Sequence, residues 1–133
     1  MNSPIKLGCI IDDDNTYVHL ISTLIKMKNL TEELLIFNNG QEAMDYFEKA
    51  VENNAIEDLP QVIFLDLNMP VMNGWQFLEQ FDKKKCNNCS LYVVSSSINP
   101  NDMNRAKQFP TVKDYITKPL EISTLEAVFQ RAS

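Results

Sequence analysis

The chain has 133 residues, enough for one domain with a single core, and 44% of them are apolar, an ordinary share for a folded globular protein. A formal charge of -6 and a pI of about 4.7 argue against nucleic acid or an anionic membrane as the main partner, and signal that a carboxylate-rich site needs a cation. No apolar run approaches the roughly 18 residues of a membrane span and the N-terminus has no apolar signal stretch, so a cytoplasmic location is expected.

Residues 6–11 read as a short apolar strand ending in Asp12-Asp13-Asp14, and Asn15 or Thr16 can cap the helix that follows. In that helix Tyr17, Leu20, Ile21, Leu24 and Ile25 form an apolar stripe, with His19, Ser22, Thr23 and Lys26 opposite it. His19 is the only histidine and reads as an exposed helix residue. A weaker strand covers residues 34–37, Asn38-Asn39-Gly40 turns the chain, and Ala43, Met44, Phe47 and Val51 repeat at helical spacing.

After a polar connection, Val62-Ile63-Phe64-Leu65 is an unbroken apolar run, as expected of a strand buried on both faces in a parallel sheet. It ends at a single carboxylate, Asp66. Pro70 and Asn73-Gly74 break the strand, and Phe77, Leu78 and Phe81 start the next helix. Residues 91–94 are a fourth strand followed by Ser95-Ser96-Ser97, and Asn99-Pro100 opens a short polar helix anchored by Met103 and Ala106. Residues 112–116 are the fifth strand, ending at Thr117-Lys118-Pro119, and the last helix uses Ile122, Leu125, Val128 and Phe129. Strands alternating with helices imply a parallel sheet with helices on both faces and right-handed crossovers.

Among the three cysteines, Cys9 lies in an apolar run and reads as a small core residue. Cys86-Asn87-Asn88-Cys89 invites a zinc or redox reading. Zinc needs about four ligands and no second Cys/His pair exists. A thioredoxin-like motif opens a helix after a strand, whereas this one follows Lys83-Lys84-Lys85 and precedes a strand. Reduced surface thiols are therefore expected.

The carboxyl ends of parallel strands open into the crevice where such sheets bind ligands. The first strand brings Asp12, Asp13 and Asp14 there, the third Asp66, the fourth Ser95 and the fifth Lys118. Two unit charges at 4 Å repel by about 1 kcal/mol in water and about 4 kcal/mol at an effective dielectric of 20. Carboxylates crowded in this way raise a pKa or draw in a cation. Oxygen ligands select a hard cation, and Mg²⁺ fits best because it keeps waters and uses one or two carboxylates. A carboxylate beside Mg²⁺, a hydroxyl and an ammonium suggests phosphoryl transfer, with Asp66 as nucleophile, Ser95 as hydrogen-bond donor and Lys118 as ion-pair partner of the phosphoryl oxygens. Taken singly, each of these residues is explained as well by a helix cap or a solvated side chain; the set of strand ends is what points to chemistry.

The segments Ile10-Ile11-Asp12-Asp13-Asp14, Phe64-Leu65-Asp66-Leu67-Asn68-Met69-Pro70-Val71-Met72-Asn73-Gly74, Val93-Val94-Ser95-Ser96 and Asp114-Tyr115-Ile116-Thr117-Lys118-Pro119-Leu120 together resemble the receiver domain of two-component response regulators. The resemblance spans essentially the whole chain, with all motifs in the family's order. It implies a flavodoxin-like three-layer (βα)5 fold, a doubly wound parallel sheet of strand order 2-1-3-4-5, with residues 1–133 forming a single receiver and no output domain. Asp66 would be the phosphoacceptor, Asp13 a direct Mg²⁺ ligand, Asp12 a ligand through water, and Asn68 a ligand through its backbone carbonyl; Mn²⁺ would serve as well. Ser95 and Tyr115 would form the switch, Asn68 and Ser97 would tune phosphate lifetime, and Pro119 would follow a cis peptide that aims Lys118. Two departures stand out: Ser95 replaces the commoner Thr while keeping the hydroxyl, and residues 109–114 lack the Gly-containing turn usual there. Asp14 is extra to the acidic pair and reads as a helix cap.

The resemblance further implies a sensor histidine kinase or histidine phosphotransfer protein as phosphodonor and a downstream protein as target. Signalling would run through the face of the fourth helix, fifth strand and fifth helix, or by relay of the phosphoryl group. No direct nucleic acid or membrane contact is expected, and the chain would be a monomer or a phosphorylation-dependent dimer. It would not be an enzyme beyond Mg²⁺-dependent self-phosphorylation and autodephosphorylation. A haloacid-dehalogenase-type phosphatase also uses a strand-end Asp, but needs a second acid two residues on, where this chain has Asn68. A docking module of the same fold that is never phosphorylated would have no need for Asp12, Asp13, Asp66, Ser95 and Lys118 together.

Overall fold

Val62–Leu65 forms β3, and all four of its side chains are buried because helices cover both faces of the sheet at its centre. The computed structural model describes residues 4–69, 71–82 and 89–132. Around β3 the chain runs β1 (Ile5–Ile11), α1 (Asn15–Met27), β2 (Thr31–Phe37), α2 (Gly40–Glu52), α3 (Gly74–Asp82), β4 (Ser90–Ser95), α4 (Pro100–Lys107), β5 (Val112–Thr117) and α5 (Ile122–Ala132), with a short 3-10 helix at Ile56–Asp58. The strands pair in the order β2-β1-β3-β4-β5, every pair parallel. This is the flavodoxin-like (βα)5 arrangement.

Alternate residues of the strands feed two cores, as the period of two requires. Cys9, Ile11, Ile63, Leu65, Leu91 and Val93 face α2, α3 and α4, where Phe47, Phe77 and Phe81 pack ring against ring with centroids 5.4–5.9 Å apart. Ile10, Val62, Phe64, Tyr92 and Val94 face α1 and α5, meeting Val18, Ile21, Ile25, Leu125, Val128 and Phe129.

Several local expectations are corrected. Asp14 caps α1 as its place beyond the acidic pair suggested, its side chain accepting from the Tyr17 N–H, and Asn15 and Thr16, the other candidates, are not the cap. The buried row of α1 is Val18, Ile21, Ser22 and Ile25, and Leu20 is exposed. Ser22 tolerates burial because its hydroxyl donates to the His19 carbonyl. His19 itself is exposed. In α2 Ala50 is buried and Val51 is exposed. In α4 Ala106 is buried and Met103 is half-buried. Cys89 is buried and disulfide-bonded, not a reduced surface thiol; Pro70, Lys83, Lys84, Lys85 and Cys86 lie outside the described residues.

The turn into β5 is built without glycine. The Phe109 N–H donates to the Ala106 carbonyl and the Val112 N–H to the Phe109 carbonyl, closing two successive tight turns. The β4–β5 register then skips from Leu91↔Val112 to Tyr92↔Asp114. Lys113 is the additional residue of this bulge, and it twists the exposed edge strand where the charges of Lys113 and Asp114 guard it against further pairing.

Candidate functional site

β1 and β3 are neighbours, and their ends present Asp12 and Asp66 side by side. The Asp12 N–H donates to the Phe37 carbonyl and the Asp66 N–H to the Ile11 carbonyl, so each acid continues the ladder one residue past its strand. Asp12 and Asp66 are buried and Asp13 is exposed. Carboxylate oxygens of Asp12, Asp13 and Asp66 all lie within 4.8 Å of one another. Lys118, carried by the end of β5, puts its Nζ 2.9 Å from Asp12 Oδ2 and 3.9 Å from Asp66 Oδ1. The Lys118 N–H donates to the Ser95 carbonyl over 2.8 Å, which fixes the backbone of Lys118 against the end of β4. The Lys118–Pro119 peptide is cis.

Among the described residues one ammonium faces three carboxylates, which leaves the pocket short of positive charge. The Asp66 carboxyl is accordingly pushed up to about 6 from 3.8, first by burial and then by Asp12, against the opposing pull of Lys118 and of the Asn68 backbone N–H that donates to it. An all-oxygen donor set of this charge fits a hard divalent cation, which Asp12, Asp13 and Asp66 could hold.

The loop after Asp66 is held tightly. A Cβ on Gly74 would meet the Asp66 carbonyl oxygen at 2.5 Å and Leu67 Cα at 2.6 Å, both backbone atoms, so only glycine lets the start of α3 sit against the acid. The Gly74 N–H donates to the Leu67 carbonyl over 2.9 Å. Val71 in the same loop has a φ of 69°, a left-handed conformation costly for a β-branched residue.

Ser95 is fully buried, and its Oγ accepts from the Ser97 N–H over 3.1 Å. The Ser97 hydroxyl donates to Asp102 Oδ2 over 2.7 Å, and the Tyr115 hydroxyl donates to the Ser97 carbonyl over 2.9 Å. Ser97 thus ties Ser95, the first turn of α4 and Tyr115 together, with its own hydroxyl engaged by α4. The Asn68 side chain is exposed.

Tyr17, part of the apolar stripe of α1 and packed against the core, is also a neighbour of the site. Its ring centroid lies 4.3 Å from Lys118 Nζ. Burial, followed by the Asp12, Asp66 and Asp14 charges, holds its phenol well above the usual tyrosine range.

The comparisons with known proteins agree with this geometry. Residues 9–130 match the family model described as the response regulator receiver domain, and the chain belongs to that family of phosphoacceptor signalling domains. It is similar to the crystal structure of a two-component response regulator from Cytophaga hutchinsonii, with 30% identity, 97% of each chain covered and a TM-score of 0.83. It is 29% identical to part of the sensor histidine kinase CheAY of Helicobacter pylori over 92% of this chain, a segment making up 14% of that protein. It is 24% identical to the response regulator Rcp1 of Synechocystis, covering 97% of this chain and 87% of that one. The Mn²⁺-bound structure of Rcp1 superimposes with a TM-score of 0.75 over 95% of this chain and 90% of that chain. Receiver domains bind a divalent metal in their acidic pocket and interact with histidine kinases or phosphotransfer proteins. Among the described residues no helix is long and apolar enough to cross a membrane.

Proposed function

We propose that this chain is a phosphorylation-activated switch in which Asp66 accepts a phosphoryl group from a phosphohistidine of a sensor kinase or phosphotransfer protein. The observation that carries the reading is the convergence of Asp12, Asp13 and Asp66 within 4.8 Å, with Lys118 paired to Asp12 at their edge. An Asp66 carboxylate oxygen attacks phosphorus, the P–N bond to the donor imidazole breaks, and the departing nitrogen keeps the electron pair and takes a proton. Asp66 must be ionised to attack, which its value of about 6 allows at neutral pH. The cation is read as Mg²⁺, with Mn²⁺ as a substitute, held by Asp13, Asp66 and the Asn68 carbonyl directly and by Asp12 through water. When bound it supplies positive charge that stabilises the phosphoryl oxygens. Lys118 pairs with one phosphoryl oxygen and the Ser95 hydroxyl donates to another.

The new charge of about -1.5 to -2 draws Ser95 towards the phosphoryl group. Through Ser97 this movement reaches Tyr115 and the first turn of α4, altering the α4–β5–α5 face that a target protein reads. It is a shift between two populated states, and the docked Tyr115 seen here is the arrangement phosphorylation would favour. The 133 residues are read as one receiver unit, signalling by protein contact or by passing the phosphoryl group onward.

Intact-mass spectrometry after incubation with acetyl phosphate and Mg²⁺ tests the chemistry. The wild-type chain should gain one phosphate and Asp66→Asn none. No adduct on either, with cation binding demonstrated separately, would leave a docking module that works without phosphate.

A further inference from the structure

Among the described residues the Lys118 ammonium has three neighbours in the pocket, and they differ in kind. Asp12 lies at 2.9 Å, Asp66 at 3.9 Å, and the centroid of the Tyr17 ring at 4.3 Å from its Nζ. Both carboxylates belong to the set that would hold a cation, and Asp66 is the group read as the nucleophile. Their hold on the ammonium therefore changes whenever the pocket takes up a divalent ion or a phosphoryl group. The ring is uncharged and its attraction comes from the quadrupole of the π face, which neither event consumes.

The backbone of Tyr17 is fixed for this task. Its N–H donates to Asp14 Oδ1 over 3.2 Å, and the Asp14 N–H donates to Asp12 Oδ1 over 2.9 Å, so the cap of α1 refers the tyrosine back to the acid it stands beside. The hydroxyl is shielded from solvent and has no hydrogen-bond partner among the described residues. A buried phenol oxygen left without a partner is unfavourable. Filling space does not require an aromatic ring, whereas a ring whose face lies under the ammonium attracts it.

We propose that Tyr17 is a positioning residue for phosphoryl transfer, its ring face holding the Lys118 ammonium where it pairs with a phosphoryl oxygen on Asp66. The inference rests on the phosphoacceptor reading above. It concerns Lys118 alone and does not require the phenol to ionise.

The test uses the full chain carrying Phe at position 17, Phe with one, two or three ring fluorines, or Leu. Each fluorine weakens the ring quadrupole with little change in volume. Two quantities are read: the initial rate of Asp66 phosphorylation by acetyl phosphate with Mg²⁺, and the ζ-ammonium resonance of Lys118 in the metal-free, unphosphorylated chain. Tyr17→Phe should keep the rate within about twofold, because the π face remains. Tyr17→Leu should lower it about tenfold, equivalent to ~1.4 kcal/mol at 25 °C. The fluorinated series should fall stepwise in rate and move the Lys118 resonance in step. Should Tyr17→Leu fail to melt cooperatively, the fluorinated series decides by itself. Equal rates and an unmoved resonance along that series, in a chain whose wild type is phosphorylated, overturn the role of the ring. A wild type that takes no phosphate overturns the phosphoacceptor reading instead.

Discussion

The Lys118 ammonium donates to Asp12 Oδ2 over 2.9 Å, tying the end of β5 to the end of β1 across the two strands between them. Both partners are largely withdrawn from water, with side-chain exposures of 18% and 3%. Removing one member of such a pair leaves an uncompensated charge. Lys118→Met should therefore destabilise the metal-free chain by about 2–3 kcal/mol near neutral pH, somewhat below the range for a fully buried pair because Lys118 keeps some solvent. The loss should shrink on acidification, since Lys118 opposes the upward shift of Asp66 and its removal lets Asp66 protonate more readily. Urea unfolding at several pH values checks this; equal stability of the two chains near neutral pH would count against a paired Lys118.

Asp66 gives the pocket a pH dependence of definite sign. Its folded value of about 6 lies above 3.8, so the folded chain binds more protons than the unfolded one between those limits. Stability of the metal-free chain should fall as pH rises through that window, by up to about 3 kcal/mol, and remain reduced above it. Asp66→Asn should remove this slope and melt higher than wild type above about pH 6, because the buried charge is gone. A parallel pair of stability-pH curves would show that burial costs Asp66 nothing.

The same proton competes with the cation. Protonated Asp66 has lost the charge that attracts a metal, so Mg²⁺ affinity should strengthen as pH rises through about 6. Calorimetric titration at pH values on both sides should show proton release on binding in wild type at the lower pH. Asp66→Asn should bind far more weakly, with that release absent.

Gly74 makes a steric prediction. A methyl group there meets backbone on two sides, at 2.5 Å and 2.6 Å, and backbone cannot rotate away as a side-chain tip can. Gly74→Ala should cost about 1–3 kcal/mol, the usual range for overpacking, and displace the Asp66–Leu67 turn. Thermal melting together with the acetyl phosphate reaction would register both effects. An alanine variant of full stability and full reactivity would mean that the start of α3 is free to move away.

Much of this is legible in the sequence, for physical reasons. β3 lies at the centre of the sheet, and a strand covered on both faces leaves an unbroken apolar run. The acids and Lys118 follow strands directly, so assigning the strands also placed the residues. The face of α1 was harder to assign. Residues 17, 20 and 24 and residues 18, 21 and 25 form adjacent helical rows one residue apart, and both are mainly apolar. Only packing against β1 and α5 selects the second row, which leaves Leu20 exposed and Tyr17 beside Lys118. The contact between Tyr17 and Lys118 joins residues a hundred positions apart, and no local pattern encodes it. The engagement of Ser97 by Asp102 was similarly hidden, because it depends on how α4 is set against the end of β4.

That last contact leads to a prediction about phosphate lifetime. If Ser97 tunes the loss of phosphate, it does so with its hydroxyl already committed to the carboxylate in the first turn of α4, at 2.7 Å. Its backbone meanwhile supports the Ser95 Oγ and receives the Tyr115 hydroxyl. Asp102→Ala removes the acceptor while leaving Ser97 in place. A hydrogen bond to a charged group is worth about 1.5–3 kcal/mol when buried, and about 1 kcal/mol is expected at this half-buried site. The first-turn amides of α4 should then exchange with solvent about fivefold faster, which that energy would produce if opening is local. The phosphate lifetime on Asp66 should change in the same direction for Asp102→Ala as for Ser97→Ala, since both break the one contact. Hydrogen exchange by mass spectrometry and the decay of the phosphate adduct measure the two effects on the same samples. Lifetimes that move in opposite directions would show the Ser97 hydroxyl acting on the phosphoryl group by itself, with α4 as a bystander.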